Sequence, residues 1–314
     1  MMPQITTDIA CAVARLRAGE LLGLPTETVY GLAADARNPA AVAQVFALKG
    51  RPASNPLIVH VTGREQVDDW AASVPEAAEK LIAAFWPGPL TLVLPAKDSV
   101  SPVITAGQAS VALRAPAHPS AQAVLAAFAG ALVAPSANRY MSISPTCAAH
   151  VAQQFADADL LIVDGGACQV GLESTIVSLL DDTPRLLRSG TLDPAAIEHV
   201  LGQPLARGAA GSVRVPGQHV KHYAPNTPAF SVANVPVAAQ ADPRCGWLLL
   251  RPRDDIAGTV HALGNEPIAY ARGLYAALYA LDNAGLERIY IELPPRSEAW
   301  TAVHDRLSRA SQSA

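Results

Sequence analysis

The sequence predicts an α/β protein in two parts, a larger sheet-and-helix unit followed by a smaller one of the same class. Through the first two thirds, short apolar runs alternate with amphipathic or alanine-rich runs, as expected when helices pack on a sheet. A Gly- and Pro-rich stretch without apolar period then runs from Arg207 to about Pro228, and strand and helix patterns resume after it. With 314 residues, half of them hydrophobic, the chain can bury a sizeable core and exceeds the usual length of one domain.

The strand-like runs of the first unit are residues 21–24, 57–61, 91–94, 111–113, 131–134, 160–163 and 175–179, with helices fitting between many of them. Asn38 supplies a cap and Pro39 a first-turn proline for a helix that Gly50 closes, which leaves Lys49 and Arg51 at its exit. Asp193 and Pro194 start a second helix of this kind, ending near Gly202. The expected boundaries are therefore a unit at 1–206, an extended linker at 207–228 and a small α/β unit at 229–314. In that last unit, CGWLLL and RIYIEL read as strands. Helices are expected from Tyr270 to Leu281 and from Glu298 to Ser308, both with ordinary core-facing spacing.

Composition narrows the function. A net charge of −4 and a pI near 6.1 argue against a polybasic nucleic-acid or membrane protein and leave at most a weak RNA contact. Cys11, Cys147, Cys168 and Cys245 are far apart and form no CxxC pair, so neither a zinc site nor a disulfide framework is indicated. Asp8, Arg15 and Arg17 interrupt what an export signal would need to be apolar. Residues 115–138 carry no Asp, Glu, Lys or Arg, but Pro116, His118, Pro119, Gln122 and Pro135 break the run before it reaches the ~20 residues of a membrane span. A cytoplasmic location follows.

The chemistry concentrates in a few segments. PTETVYG, residues 25–31, follows a strand and puts Thr26, Glu27, Thr28 and Tyr30 on a turn where open α/β sheets place ligands, although such a turn equally suits an internally bonded threonine. KGRPASNPLIVH joins Lys49 and Arg51 to Ser54, Asn55 and His60 across a proline-bounded loop. The planar fork of arginine and the compact charge of lysine suit a polyphosphate without a Walker-type glycine loop; a solvated basic turn is the plainer reading. Arg114 and Arg188 each end an apolar run and need a ligand or a buried acid.

APSAN, residues 134–138, offers Ser136, Asn138 and backbone amides. Ser144 reads as a helix cap or an anion contact at a helix start, while Glu173, Ser174 and Thr175 begin a strand. The HxxH spacing of His219 and His222 is a weak metal signal, and no motif supplies a covalent nucleophile. No protein metal site is expected.

In this order and spacing, PTETVYGL, KGRPASNPLIVH, VALRAP, APSAN and ESTIV resemble the YrdC-like family of L-threonylcarbamoyladenylate synthases, over nearly the whole chain. PGQHVKHYAP resembles the linker of the long two-domain form, although Gln218 and Val220 stand where that linker often has methionine and an aromatic residue. DRLSRA resembles its C-terminal domain. The stretch from Arg139 to Ile143 departs from the small glycine-containing loop common after PSAN.

The resemblance implies a twisted open sheet with flanking helices, a Rossmann-like C-terminal domain, and a nucleotidyltransferase. That enzyme joins L-threonine, bicarbonate and ATP into threonylcarbamoyl-AMP and pyrophosphate, Mg2+ accompanying the ATP. The product would pass to tRNA threonylcarbamoyl transferase machinery. By the same resemblance Thr28, His60, Arg114, Ala134 and Ser174 hold L-threonine. Lys49, Arg51, Asn55, Ser110, Ser136, Ser144, Arg188 and Tyr223 surround ATP, with Lys49 and Arg51 acting on the phosphates. Two alternatives weigh against it. A hydrogenase-maturation carbamoyltransferase would need acylphosphatase and zinc-finger regions, which the cysteine spacing does not provide. A noncatalytic RNA-binding or ribosome-assembly protein would need a clustered basic surface.

Overall fold

The computed structural model describes residues 2–208, 213–217 and 222–313. The first sheet uses β1 (Gln4–Thr6), β2 (Leu22–Leu24), β3 (Gly31–Asp35), β4 (Ile58–His60), β5 (Leu90–Pro95), β6 (Ser110–Arg114), β7 (Leu132–Val133), β8 (Leu161–Val163), β9 (Thr175–Ser178), β10 (Arg185–Arg188) and β11 (Ala206–Arg207). Its helices are α1 (Ile9–Arg17), α2 (Pro39–Lys49), α3 (Glu76–Phe85), α4 (Pro102–Thr105), α5 (Pro119–Phe128), α6 (Ala148–Gln154) and α7 (Pro194–Leu201). The strand order is β1-β8-β2-β3-β7-β4-β6-β5-β9-β10-β11, with parallel and antiparallel pairs mixed.

The second sheet contains β12 (Ala229–Val232), β13 (Cys245–Leu249), β14 (Thr259–Ala262), β15 (Arg288–Glu292) and β16 (Gln312–Ser313). It is accompanied by α8 (Pro267–Asp282) and α9 (Thr301–Ala310). All its pairs are parallel, in the order β14-β13-β15-β12-β16. β11 pairs with β10, so Arg207 still belongs to the first sheet.

Local sequence explains the elements that carry the site. Asn38 caps α2 by accepting from the amides of Ala40 and Ala41, and Gly50 ends the helix at φ 65°, a left-handed turn that suits glycine and turns the chain toward Arg51. α7 is capped in the same manner by Asp193 and closed by Gly202. β3 has the sequence GLAAD, with small residues and no branched apolar face, which is why it does not stand out as a strand. Its Gly31 is required by packing: a Cβ there would lie 2.9 Å from the Cβ of Ala134 in the APSAN turn.

The two units share a core. Val29, Ile143, Leu172 and Tyr223 pack in one apolar cluster with Leu274, Tyr275, Leu278 and Tyr279 of α8 and Val303 and Leu307 of α9. Tyr279 also donates from its hydroxyl to the carbonyl of Ile143 at 2.9 Å. The last two helices have the core-facing spacing expected of them, and part of the buried face of α8 and α9 packs on the first unit.

Candidate active site

The PTETVYG turn joins β2 to β3 and is internally bonded, as the plainer reading of it anticipated, yet it also reaches a cavity. The Thr26 hydroxyl donates to the carbonyl of Val29 at 2.6 Å, so at the 2.9 Å contact between the two threonines Thr28 is the donor. Arg114 then donates from Nη1 to Thr28 Oγ1 at 2.8 Å. Its Nη2 meets Glu27 Oε1 at 2.6 Å, and Glu27 Oε2 accepts from the amide of Ala117. Parallel pairing of β4 with β6 sets His60 directly beside Arg114.

Around these residues lies a cavity of about 50 Å³ lined by Thr28, His60, Arg114, Ala134, Ser136, Ser174, Arg51 and Arg188 from the first unit. Pro216, Gly217, His222 and Tyr223 of the linker line it as well. The linker approaches so tightly that a Cβ on Gly217, which sits at φ +90°, would fall 2.6 Å from the Tyr223 hydroxyl. Tyr223 itself is buried at φ 60°, a left-handed conformation costing a non-glycine residue about 1–3 kcal/mol, so surrounding contacts must hold it there.

The electrostatics favour anions. Arg51 donates from Nη2 to the carbonyl of Pro56, while its buried Nε has no hydrogen-bond partner among the described residues. Burial, with a smaller push from Arg188, lowers its pKa to about 10. Arg188 donates from Nε and Nη2 to the carbonyl of Ser174, from Nη2 to Ser174 Oγ, and from Nη1 to Pro216, and burial lowers its pKa as well. Ser174 Oγ also lies 2.7 Å from Thr91 Oγ1. His60 is driven to about 3 by burial and by Arg114, so its ring is neutral near pH 7. Its Nδ1 lies 3.2 Å from the carbonyl of Ile58, which assigns the proton to Nδ1 and leaves Nε2 as an acceptor.

Four of the residues expected around ATP do not line this cavity. Lys49 is buried beneath the APSAN turn, where Nζ donates to the carbonyls of Ser136 and Asn138, so its amino group acts on the backbone and not on the cavity. Asn55 donates to the Tyr140 hydroxyl at 3.3 Å. Ser110 faces a separate open hollow with Gln108 and Arg214. Ser144 caps no helix: α6 starts at Ala148 after Cys147, and the Ser144 hydroxyl instead donates to Glu173 at 2.6 Å. The HxxH reading falls partly on His219, which lies outside the described residues together with Gln218, Val220 and Lys221; His222 is buried beside Tyr223, their rings 4.0 Å apart.

Sequence reasoning pointed to Glu27 and Glu173 and allowed Arg114 a buried acid, but not to which groups pair, and not to Arg306. Glu27 pairs with Arg114, and Glu173, which lines the cavity, receives Ser144, Tyr275 and Arg306. Arg306 had a legible signal. The buried positions of α9 are Ala302, Val303, Arg306, Leu307 and Ala310, so this arginine occupies an apolar slot of the helix. A larger hollow of about 480 Å³ lies between the start of α7 and the starts of α8 and α9, but it is lined by Asp193, Glu266 and Glu298 and no lysine or arginine.

Comparison with known proteins places this geometry in context. Residues 14–190 match the Sua5/YciO/YrdC family model, described as telomere recombination, and residues 192–312 match the model described as threonylcarbamoyl-AMP synthase, C-terminal domain. The chain is 38% identical to the threonylcarbamoyl-AMP synthase of Pyrococcus abyssi, over 96% of this chain and 94% of that one. It is also 38% identical to the Bacillus subtilis threonylcarbamoyl-AMP synthase, over 97% and 93%. The structure of P. abyssi Sua5 complexed with L-threonine superposes with a TM-score of 0.89 at 36% identity, covering 99% of this chain and 97% of that chain. Escherichia coli YciO, at 20% identity, TM-score 0.52 and 61% of this chain, shares the fold of the first unit.

Proposed function

The chain belongs to the Sua5/YciO/YrdC family of threonylcarbamoyl-AMP synthases and makes threonylcarbamoyl-AMP, and from that premise we propose how its cavity performs the synthesis. L-threonine, bicarbonate and ATP enter. The threonine amine takes up the carbon of bicarbonate with loss of water, one oxygen of the resulting N-carboxylate attacks the α-phosphorus, and pyrophosphate departs. The product serves threonylcarbamoyl transfer to tRNA by separate machinery.

The observation that carries this reading is the convergence of Arg51, Arg114 and Arg188 with Thr28, Ser136 and Ser174 on one cavity. Every reactant except the amine is anionic, and no residue there is an activated nucleophile, so positioning and charge stabilisation are what the site supplies. Arg114 and Thr28 take the threonine carboxylate. The Nε2 lone pair of neutral His60 accepts from the threonine amine or hydroxyl. Arg51, through the Nε that lacks a partner, and Arg188 take phosphate oxygens, and Ser136 takes the nucleotide. Lys49 serves by holding the turn that presents Ser136.

Among the described residues the carboxylate lining the cavity is Glu173, already engaged by Arg306, and Glu27 behind it is engaged by Arg114. Magnesium therefore enters as part of the substrate, MgATP, bound by phosphate oxygens and water. A cavity of about 50 Å³ holds neither ATP nor its product. The linker segment bearing Tyr223 must withdraw to admit nucleotide and then return over it, excluding water from a labile mixed anhydride.

L-threonine-dependent pyrophosphate release from MgATP with bicarbonate tests the reading, compared with RNA binding across a salt series. Release that needs all three reactants supports it. RNA binding without turnover would return the noncatalytic alternative.

A further inference from the structure

We propose that Arg306, on the last helix of the C-terminal unit, is a positioning residue of the active site: it neutralises Glu173 at the cavity wall, beside Tyr223 of the linker. This rests on the reading of the cavity as a site for an anionic nucleotide and amino acid.

Arg306 is fully buried, and its Nε donates to Glu173 Oε2 at 2.8 Å. Glu173 collects further donors at the same point, Ser144 on Oε1 at 2.6 Å and the Tyr275 hydroxyl at 3.1 Å from Oε2. Four segments therefore meet at one carboxylate: the loop after APSAN, the start of β9, α8 and α9. The guanidinium carbon of Arg306 lies over the Tyr223 ring, 5.3 Å from its centroid, and that ring is 5.7 Å from the ring of Tyr275. Asp305 receives Arg306 Nη1 at 2.6 Å and also pairs with Arg309, so the second acid near Arg306 has its own counter-ion.

The consequence is electrostatic. Glu173 lines a cavity that must admit a carboxylate and a polyphosphate, and an uncompensated carboxylate there would repel both. Burial alone would push the Glu173 pKa up; Arg306 and Arg188, with the Ser144 hydrogen bond, hold it near 2, so the carboxylate stays ionised and needs its cation. If Arg306 were lost, Arg188 would be the nearest cation available to Glu173 and would be drawn from its phosphate role. The C-terminal unit thus supplies part of the site's charge balance and one wall of the linker's closed seat.

Charge rescue tests this. Arg306→Met, Arg306→Lys and Glu173→Gln/Arg306→Met are compared with wild type for L-threonine-dependent pyrophosphate release, with the KM for ATP read separately from kcat. The single methionine variant should raise the KM for ATP about tenfold or more, and the double variant, which removes both charges, should return it to within about threefold of wild type. The lysine variant should fall between them. A role in packing alone would leave the double variant no better than the single, and that result overturns the proposal, as does a wild-type KM in Arg306→Met. If Arg306→Met does not fold, the double variant decides against wild type; failure of the double variant to fold also overturns the proposal, because it leaves no unpaired charge and Ser144 and Tyr275 still donate to the oxygen at position 173. Absence of turnover in wild type would instead refute the reaction assigned to the cavity.

Discussion

Arg114 and Glu27 form a buried ion pair, Nη2 to Oε1 at 2.6 Å, with each side chain 5% exposed. The proposed threonine contact and this structural pairing fall on the same arginine, and mutation separates the two. Arg114→Ala leaves Glu27 buried without its cation and should cost about 3–5 kcal/mol of stability while raising the KM for L-threonine. Adding Glu27→Gln should restore most of the stability and leave the threonine KM high. Urea denaturation beside threonine-dependent kinetics checks this; a double variant that also regains threonine affinity would contradict the contact.

Arg51 should behave oppositely. Its guanidinium is buried, its Nε has no partner, and burial is the main force lowering its pKa. The free protein thus holds a desolvated cation, and in the proposed function the ligand compensates it. Arg51→Ala should raise the KM for ATP by about tenfold or more and leave the melting temperature unchanged or higher, the pattern of a binding residue that costs stability. A melting temperature that falls while KM stays at the wild-type value would assign Arg51 to the fold.

Lys49 lies on the other side of that distinction, since its ammonium is spent on the carbonyls of Ser136 and Asn138. Lys49→Met, close in shape, leaves two carbonyls short of a donor and should lose about 2–3 kcal/mol of stability along with part of kcat/KM. Circular dichroism melts and kinetics on one preparation decide. A stable variant that loses only kcat would return Lys49 to direct phosphate chemistry.

These contrasts mark what the sequence could disclose. Capped helices α2 and α7 were legible because Asn38, Pro39, Gly50, Asp193, Pro194 and Gly202 act locally. Thr28, Arg51, Arg114, Ser136, Ser174 and Arg188 were singled out through motif order, and the fold gathers them at one cavity. β1, β3 and β11 were not, being very short or built of small residues whose strand state depends on neighbours. Lys49 and Ser144 illustrate a harder limit: residue type announces a polar partner, but only the tertiary fold decides whether that partner is a ligand, a backbone carbonyl or the carboxylate of Glu173. Glu173 and Arg306 are 133 residues apart, beyond any local signal.

Acid sensitivity should come from buried histidines. His60 and His222 are lowered to about 3 and His150 to about 4, in each case chiefly by burial, against an ordinary value of 6.5. Above pH 6.5 both folded and unfolded forms leave these rings neutral, so stability is fully present. As pH falls toward 4 the unfolded chain binds protons that the folded chain refuses, and stability drops by up to about 1.4 kcal/mol per pH unit for each proton. Glu173 adds a further loss only below its ordinary 4.5, as pH approaches about 2. His150 isolates one contribution outside the cavity: its ring stacks on Tyr279 at 3.9 Å and 9°, joining the two units, and accepts the amide of Thr146. His150→Phe keeps the stack and removes the titration. Its urea midpoint should lie near or slightly below wild type at pH 8 and decline less steeply between pH 6.5 and 4. Parallel curves across that interval would show that the folded protein protonates His150 as readily as the unfolded chain does.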